Sequence, residues 1–352
     1  MRLNRKAAIA TAAAIPLVFV LGACAPGEGE GGNQARTFNF GHYHTEGPST
    51  AGDSRFAELI NERSGGDIQI DLHWSGALGA GPELWDLTSN GAVSLGPIVP
   101  HFSVDPFPYY SLSATEVWID DGDGVRALQN QSELMTEVFG GEVFQEEMAS
   151  LNLHPLYNQP LPSYYIVTKD QSCDLDSLAG KRVRSLGSGL PKMLEAIGAT
   201  PVTMDVADLY DALSRDAIDG VAFTLELMLQ MDLAEVAQNV CGPIFMYTNG
   251  YTVAMNLDEW ESLSPEQQTL FTDVAAEVEA WWVDEIMAAE SGYMEKLAAL
   301  GVQFSALSDS DRAEWQSISP DFLAEWVASS DSDEEKATKD KIAQTVRDIT
   351  SG

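Results

Sequence analysis

A short strand carrying its own positive charge, set between two glycine turns, constrains this chain more than any other stretch. Arg182 to Ser185 is entered through Ala179-Gly180 and left through Gly187 and Gly189, and a helix over about Leu190 to Ile197 follows. Strand, glycine turn and helix in that order read as a parallel α/β unit, in which ligands sit outside the carboxyl ends of the strands. Arg184 stands at such an end. Its guanidinium is always charged and offers a planar fork that matches a carboxylate. The chain has 54 acidic residues against 19 Lys and Arg, yet Lys181, Arg182, Arg184 and Lys192 fall within a dozen positions. Taken alone, an Arg among so many acids reads first as half of a surface ion pair; its neighbours change that.

Leu178-Ala-Gly-Lys-Arg-Val-Arg184, Leu194-Glu-Ala-Ile-Gly-Ala-Thr-Pro-Val-Thr-Met204, Leu209-Tyr-Asp-Ala-Leu213 and Ala217-Ile-Asp-Gly220 succeed one another along the chain. Their order and spacing resemble the solute-binding proteins of tripartite ATP-independent periplasmic (TRAP) transporters. The resemblance implies an α/β, two-lobed periplasmic-binding-protein-like fold with a long helix spanning the hinge. It implies a small organic acid as ligand and the TRAP membrane permease as partner, with no catalysis, no cofactor and no metal. It also gives Arg184 a role, because the second basic side chain of that Lys-x-Arg strand clamps the ligand carboxylate in the family.

The amino terminus reads as an export signal. Arg2, Arg5 and Lys6 precede an apolar run from Ala7 to Val20, short for a membrane span, and Leu21-Gly-Ala-Cys24 resembles a bacterial lipoprotein cleavage box. Residues 1–23 are therefore expected to be removed, Cys24 to be acylated, and 24–35 to form a flexible tether at the extracytoplasmic face. An ordinary secretory signal with an incidental Cys24 is the alternative. In an oxidising compartment the remaining pair, Cys173 and Cys241, suits a disulfide closing a loop of about 70 residues. Two separately buried thiols are the other reading. A formal net charge of −35 argues against nucleic acid and against anionic lipid headgroups as direct partners.

The length suffices for two lobes, expected at 36–161 with 247–288 and at 162–246 with 289–352. Strands are predicted over Arg36 to Phe40, Ile68 to His73 and Val93 to Gly96, with helices over Asp53 to Arg63 and Pro82 to Ser89 between them. Asp120-Asp-Gly-Asp-Gly124 lacks the remaining ligands of a calcium loop and reads as the start of a helix from Val125 to Leu151. Leu156 to Thr168 is expected to cross between lobes, and Val240 to Tyr247 to return. Ser264-Pro-Glu-Gln267 is a helix start, with helical spacing up to Leu300.

Besides Arg184, the candidate ligand contacts are His42 and Tyr43 in the first loop, Trp74, Tyr164, Phe223 and Tyr247. Better-studied members of the family carry a second Arg about twenty residues before the clamp, where this chain has Tyr164. They commonly carry Asn three to four residues beyond the Asp-Gly pair, where it has Phe223. The exchanges imply one carboxylate clamp, an aromatic wall and a preference for monocarboxylates, although both rings also suit plain packing at the hinge. His42-Tyr-His44 at a strand end leaves a metal-dependent hydrolase as an alternative, and a ligand-sensing surface lipoprotein is another.

Overall fold

Side chains along Tyr251–Asn256 alternate between two cores: Tyr251, Val253 and Met255 enter one, Ala254 the other. All six are buried, as a central strand covered on both faces requires. In a computed structural model the chain is described over residues 36–351, apart from 101, 103, 118–123, 172, 186–188, 205 and 248–249. The expected export signal, Cys24, the tether and most of the Asp120–Gly124 turn lie outside the described residues.

The strands are β1 (Arg36–Gly41), β2 (Ile68–His73), β3 (Leu95–Ile98), β4 (Glu116–Val117), β5 (Leu153–Gln159), β6 (Tyr164–Thr168), β7 (Arg182–Arg184), β8 (Thr200–Val202), β9 (Gly220–Phe223), β10 (Asn239–Tyr247), β11 (Tyr251–Asn256) and β12 (Gln303–Ser305). One sheet runs β2-β1-β3-β11-β5 and the other β12-β10-β6-β9-β7-β8, with β4 paired to β10. In the first, β1 is parallel to β2 and β3, while β11 is antiparallel to β3 and β5. Gly41, His73, Ile98, Gln159 and Tyr251 therefore share one edge. In the second, β7 is parallel to β8 and β9, and β6 is antiparallel to β9. Arg184, Val202, Phe223 and the start of β6 at Tyr164 share an edge in the same way.

Each sheet is buried on both faces. Phe38, Phe40 and Val253 meet Phe56 and Ile60 of the helix Ala51–Arg63 and Phe271, Val274 and Val278 of the helix Pro265–Ala299. In the second sheet Tyr165, Val167, Val221 and Phe223 enter one cluster, while Ile166, Val183 and Ala222 enter the other. The helix Pro265–Ala299 opens with a capping box in which Ser264 Oγ accepts from the Gln267 N–H and Gln267 Oε1 from the Ser264 N–H. Its 35 residues extend about 52 Å at 1.5 Å each. Phe271 lies in the first-sheet core and Leu297 in the second, so one rod joins both lobes. No described helix is long and apolar enough to cross a membrane.

Three expectations are corrected. The helix foreseen from Val125 to Leu151 is Gly124–Leu134, a π-helical turn Met135–Phe139 and Glu142–Ser150. Gly140 and Gly141 break it, and the wide turn buries Met135, Val138 and Phe139 together. Between the sheets the chain passes as two strands, β5 and β6, parted by Pro160 and Pro162, which lack the N–H groups a ladder needs. The third strand starts at Leu95 rather than Val93. The helices Phe322–Ala328 and Asp333–Ser351, expected with the second lobe, pack on the first: Trp326, Val327, Ala343 and Val346 share a cluster with Ile98, Phe107 and Leu153. Trp315, from the preceding helix Asp309–Ile318, enters a second-sheet core, where its Nε1–H donates to the Met193 carbonyl at 2.8 Å, and Phe322 packs against the same cluster.

Candidate ligand-binding site

The two strand edges face each other. Tyr43, in the loop after β1, lies within electrostatic reach of both Asp53 and Tyr164, and with burial they push its phenol upward.

On the second-sheet edge Arg184 is 1% exposed, although its side chain is charged at every physiological pH. Its Nε–H donates to the Met204 carbonyl at 3.4 Å, and its guanidinium carbon lies 5.4 Å from the centroid of the Phe223 ring. The register explains this pairing: Arg184 stands opposite Val221, so Phe223, two residues on, projects from the same face. The other basic residues of the stretch turn elsewhere. Arg182 forms a two-pronged pair with Asp219, at 3.0 Å and 2.9 Å, which holds that carboxyl down at about 2. Lys181 meets Asp170 at 2.6 Å and Lys192 meets Glu325 at 2.7 Å. Tyr164 is half-buried at the start of β6, against the cluster that holds Ile166 and Val183. Phe223 is 1% exposed and belongs to the core, so its ring backs the guanidinium.

On the first-sheet edge His42 is fully buried. Its Nδ1 accepts the His44 backbone N–H at 3.0 Å, which places the proton of the neutral ring on Nε2, 3.4 Å from Asp53 Oδ2. Burial, with His44 beside it, lowers the His42 pKa to about 3. The contact with Asp53 is therefore between a neutral imidazole and a carboxyl group. Tyr43 stacks on His42 with centroids 5.1 Å apart, half-buried Trp74 lies 5.3 Å from His42, and Tyr43 meets Phe102 edge-on at 5.4 Å. The described backbone of Tyr247 pairs with Glu116, but its side chain lies outside the described residues.

Asp53 organises this edge and was not among the sequence candidates. Its Oδ1 accepts from Tyr157 Oη and Gln159 Nε2, both at 2.7 Å, and its Oδ2 from Tyr251 Oη at 3.0 Å. Burial raises its carboxyl to about 7 against the pull of those three donors. Spacing gave no signal for this group, since its partners lie 104 to 198 positions away. An acid in the first turn of a helix reads as a response to the helix dipole.

His42 and His44 do not converge: one is buried with Nδ1 occupied, the other is exposed. Among the described residues no group of three or more His, Cys, Asp or Glu is placed to hold a metal ion. Cys173 and Cys241 are joined by a disulfide between the start of the Arg184 region and β10.

Residues 40–329 match the family described as bacterial extracellular solute-binding protein, family 7 (DctP). The C4-dicarboxylate-binding protein DctB of Bacillus subtilis is 23% identical over 300 residues, 81% of each chain. A TRAP periplasmic solute-binding protein of Ochrobactrum anthropi superposes with a TM-score of 0.77 at 19% identity, over 90% of this chain and 97% of its own. A marine metagenome TRAP solute-binding protein specific for aromatic acid ligands, in complex with 3-hydroxybenzoate, superposes at 0.71 with 22% identity, over 90% and 98%. With two sheets whose strand edges face each other and a match over most of its length, the chain belongs to the DctP family of bacterial extracellular solute-binding proteins, the TRAP receptors.

Proposed function

We propose that this protein captures an organic monocarboxylate between its lobes, with Arg184 as the clamp, and delivers it to a TRAP permease. The observation that carries the reading is a guanidinium 1% exposed at a carboxyl strand end, backed by the Phe223 ring. A planar carboxylate meets such a fork with two parallel hydrogen bonds, and a site this shielded from water strengthens the pair. Arg182 is committed to Asp219 and His42 is held neutral, so neither supplies a second cation for a diacid. Tyr164 contributes a ring and a hydroxyl where a second Arg would serve a second carboxylate.

The 3-hydroxybenzoate carried by the marine relative fits that chemistry, whereas the C4-dicarboxylates named for DctB require the second cation. On this reading residues 1–23 are cleaved, Cys24 is lipidated, and the lobes are built on 36–161 and 162–246, with the long helix Pro265–Ala299 shared between them and the helices Phe322–Ala328 and Asp333–Ser351 on the first. A thermal-shift screen of carboxylates tests it: a ligand at a hundred times its dissociation constant stabilises by about 2.7 kcal/mol. Failure of every monocarboxylate while another class shifts the transition would overturn it.

A further inference from the structure

A cavity of about 140 Å³ lies against the long helix, lined by the Gln159–Pro162 crossing and by helix residues from Trp282 to Tyr293. By the same measure a water needs roughly 10–15 Å³, so there is room for a molecule of several non-hydrogen atoms. Arg184, His42 and Tyr164 do not line it, and no Lys, Arg or His does. Two of its polar atoms are buried and, among the described residues, have no hydrogen-bond partner: the Trp282 Nε1–H donor and the Gln159 Oε1 acceptor. Their residues are 5% and 1% exposed. Gln159 is held by its other end, because Nε2 donates to Asp53. Buried polar groups of native proteins are as a rule satisfied, so the pair calls for one group that donates and one that accepts.

The charge of the walls narrows the class. Glu226, Glu285 and Glu290 line the cavity, and Glu290 Oε1 accepts from Tyr165 Oη at 2.6 Å. Burial pushes the Glu290 carboxyl up to about 7; the Tyr165 hydrogen bond works against that and Glu226 adds to it. Burial likewise raises Glu226. These acids exclude an anion and favour a cation, and a surface of net charge −35 raises the local concentration of cations. Tyr251, Trp282 and Tyr293 supply ring faces suited to an ammonium group.

We propose that this cavity, which borders the first-sheet edge at Gln159 and Tyr251 but is not lined by Arg184, is a second binding site, for a small hydroxylated organic ammonium ion. The ammonium donates to Gln159 Oε1 and to the Glu290 and Glu226 carboxylates, while the hydroxyl accepts from Trp282 Nε1–H. Because Gln159 also holds Asp53, occupancy reaches the His42 loop through one side chain.

The test uses the full chain with its tryptophan indoles labelled with nitrogen-15 and ethanolamine as probe, the Trp282 resonance being identified by its loss in Trp282→Phe. Ethanolamine should shift that resonance saturably; ethylammonium, without the hydroxyl, should bind more weakly, and acetate should leave it in place. Glu290→Gln, which keeps an acceptor for Tyr165, should weaken ethanolamine by about tenfold or more. Arg184→Ala should leave this titration unchanged while carboxylate binding is lost, so failure of either site is read separately. Absence of a saturable shift below roughly 100 mM, an equal response to acetate, or unchanged affinity in Glu290→Gln would mean ordered water only and would overturn the proposal.

Discussion

The guanidinium carbon of Arg184 lies 5.4 Å from the centroid of the Phe223 ring, and both side chains are 1% exposed. The ring lies beside the cation at a strand end, and the Nε–H donates to the Met204 carbonyl. Removing one partner of a desolvated charge pair costs about 2–5 kcal/mol, much of it from the charge left behind. Arg184→Ala should therefore weaken carboxylate binding by about thirtyfold or more while far-ultraviolet circular dichroism stays the same. Arg184→Lys should recover little, since a point charge lacks the fork. Calorimetry giving wild-type affinity for Arg184→Ala would remove this residue from the site.

Ligand choice should follow from Tyr164. A second anionic group closed into the cleft without a cation is left desolvated, whereas one methylene more or less changes affinity by about 1–3 kcal/mol. Monocarboxylates, including 2-hydroxy, 2-oxo and aromatic acids, should bind better than succinate or malate of similar size. Tyr164→Arg should move the preference toward the diacids. If succinate outcompetes every monoacid with the native Tyr164 in place, the single-clamp account fails.

Stability should depend on pH in an uncommon direction. Burial holds the Asp53, Glu147 and Glu290 carboxyls at about 7 in the fold. Each keeps a proton that the unfolded chain has already released, so its contribution is complete below about pH 4 and is lost as pH rises through about 7. His42 acts oppositely: its pKa falls from 6.5 to about 3, so its contribution is present above that range and is lost as pH falls through it. His154, lowered to about 4, and His44 act with His42, while burial also raises Glu226 and Glu279; five carboxyls outweigh three imidazoles, and the denaturation midpoint should decline from about pH 5 to about pH 7.5. Asp53→Asn should flatten that slope. A midpoint rising over the same interval would contradict the assignment.

The disulfide closes 68 positions of chain around the Arg184 strand. In the chain-entropy account such a loop stabilises by about 4 kcal/mol. The double variant Cys173→Ser, Cys241→Ser should unfold at lower denaturant, and these two cysteines should titrate no free thiol in denaturant without reductant. Two reactive thiols from this pair under those conditions would refute the bridge.

What the sequence made legible was local. The strand holding Arg184 and the turns around it lie within a few dozen residues, where glycine placement and period-two alternation act directly. The start of the long helix was equally plain, because Ser264, Pro265 and Gln267 satisfy their own backbone. Asp53 could not be read, since the helix Ala51–Arg63, β5 and β11 must come together before Tyr157, Gln159 and Tyr251 reach it. Nor do the apolar faces of Phe322–Ala328 and Asp333–Ser351 specify a lobe; the groove beside Ile98 and Phe107 does. Phe223 was singled out by its distance from the Asp-Gly pair, but whether its ring met ligand or guanidinium depended on register.

A beam fixed at both ends cannot follow a swinging door without flexing. The helix Pro265–Ala299 is seated in one core through Phe271, Val274 and Val278 and in the other through Leu297. Opening and closing of the cleft must then be absorbed along the stretch between those anchorages. That stretch carries Gly292, the helix's only glycine, where an added β-carbon would meet no atom within 4 Å. An alanine at that point, favoured over glycine in a helix by about 0.5–1 kcal/mol, should stiffen the stretch.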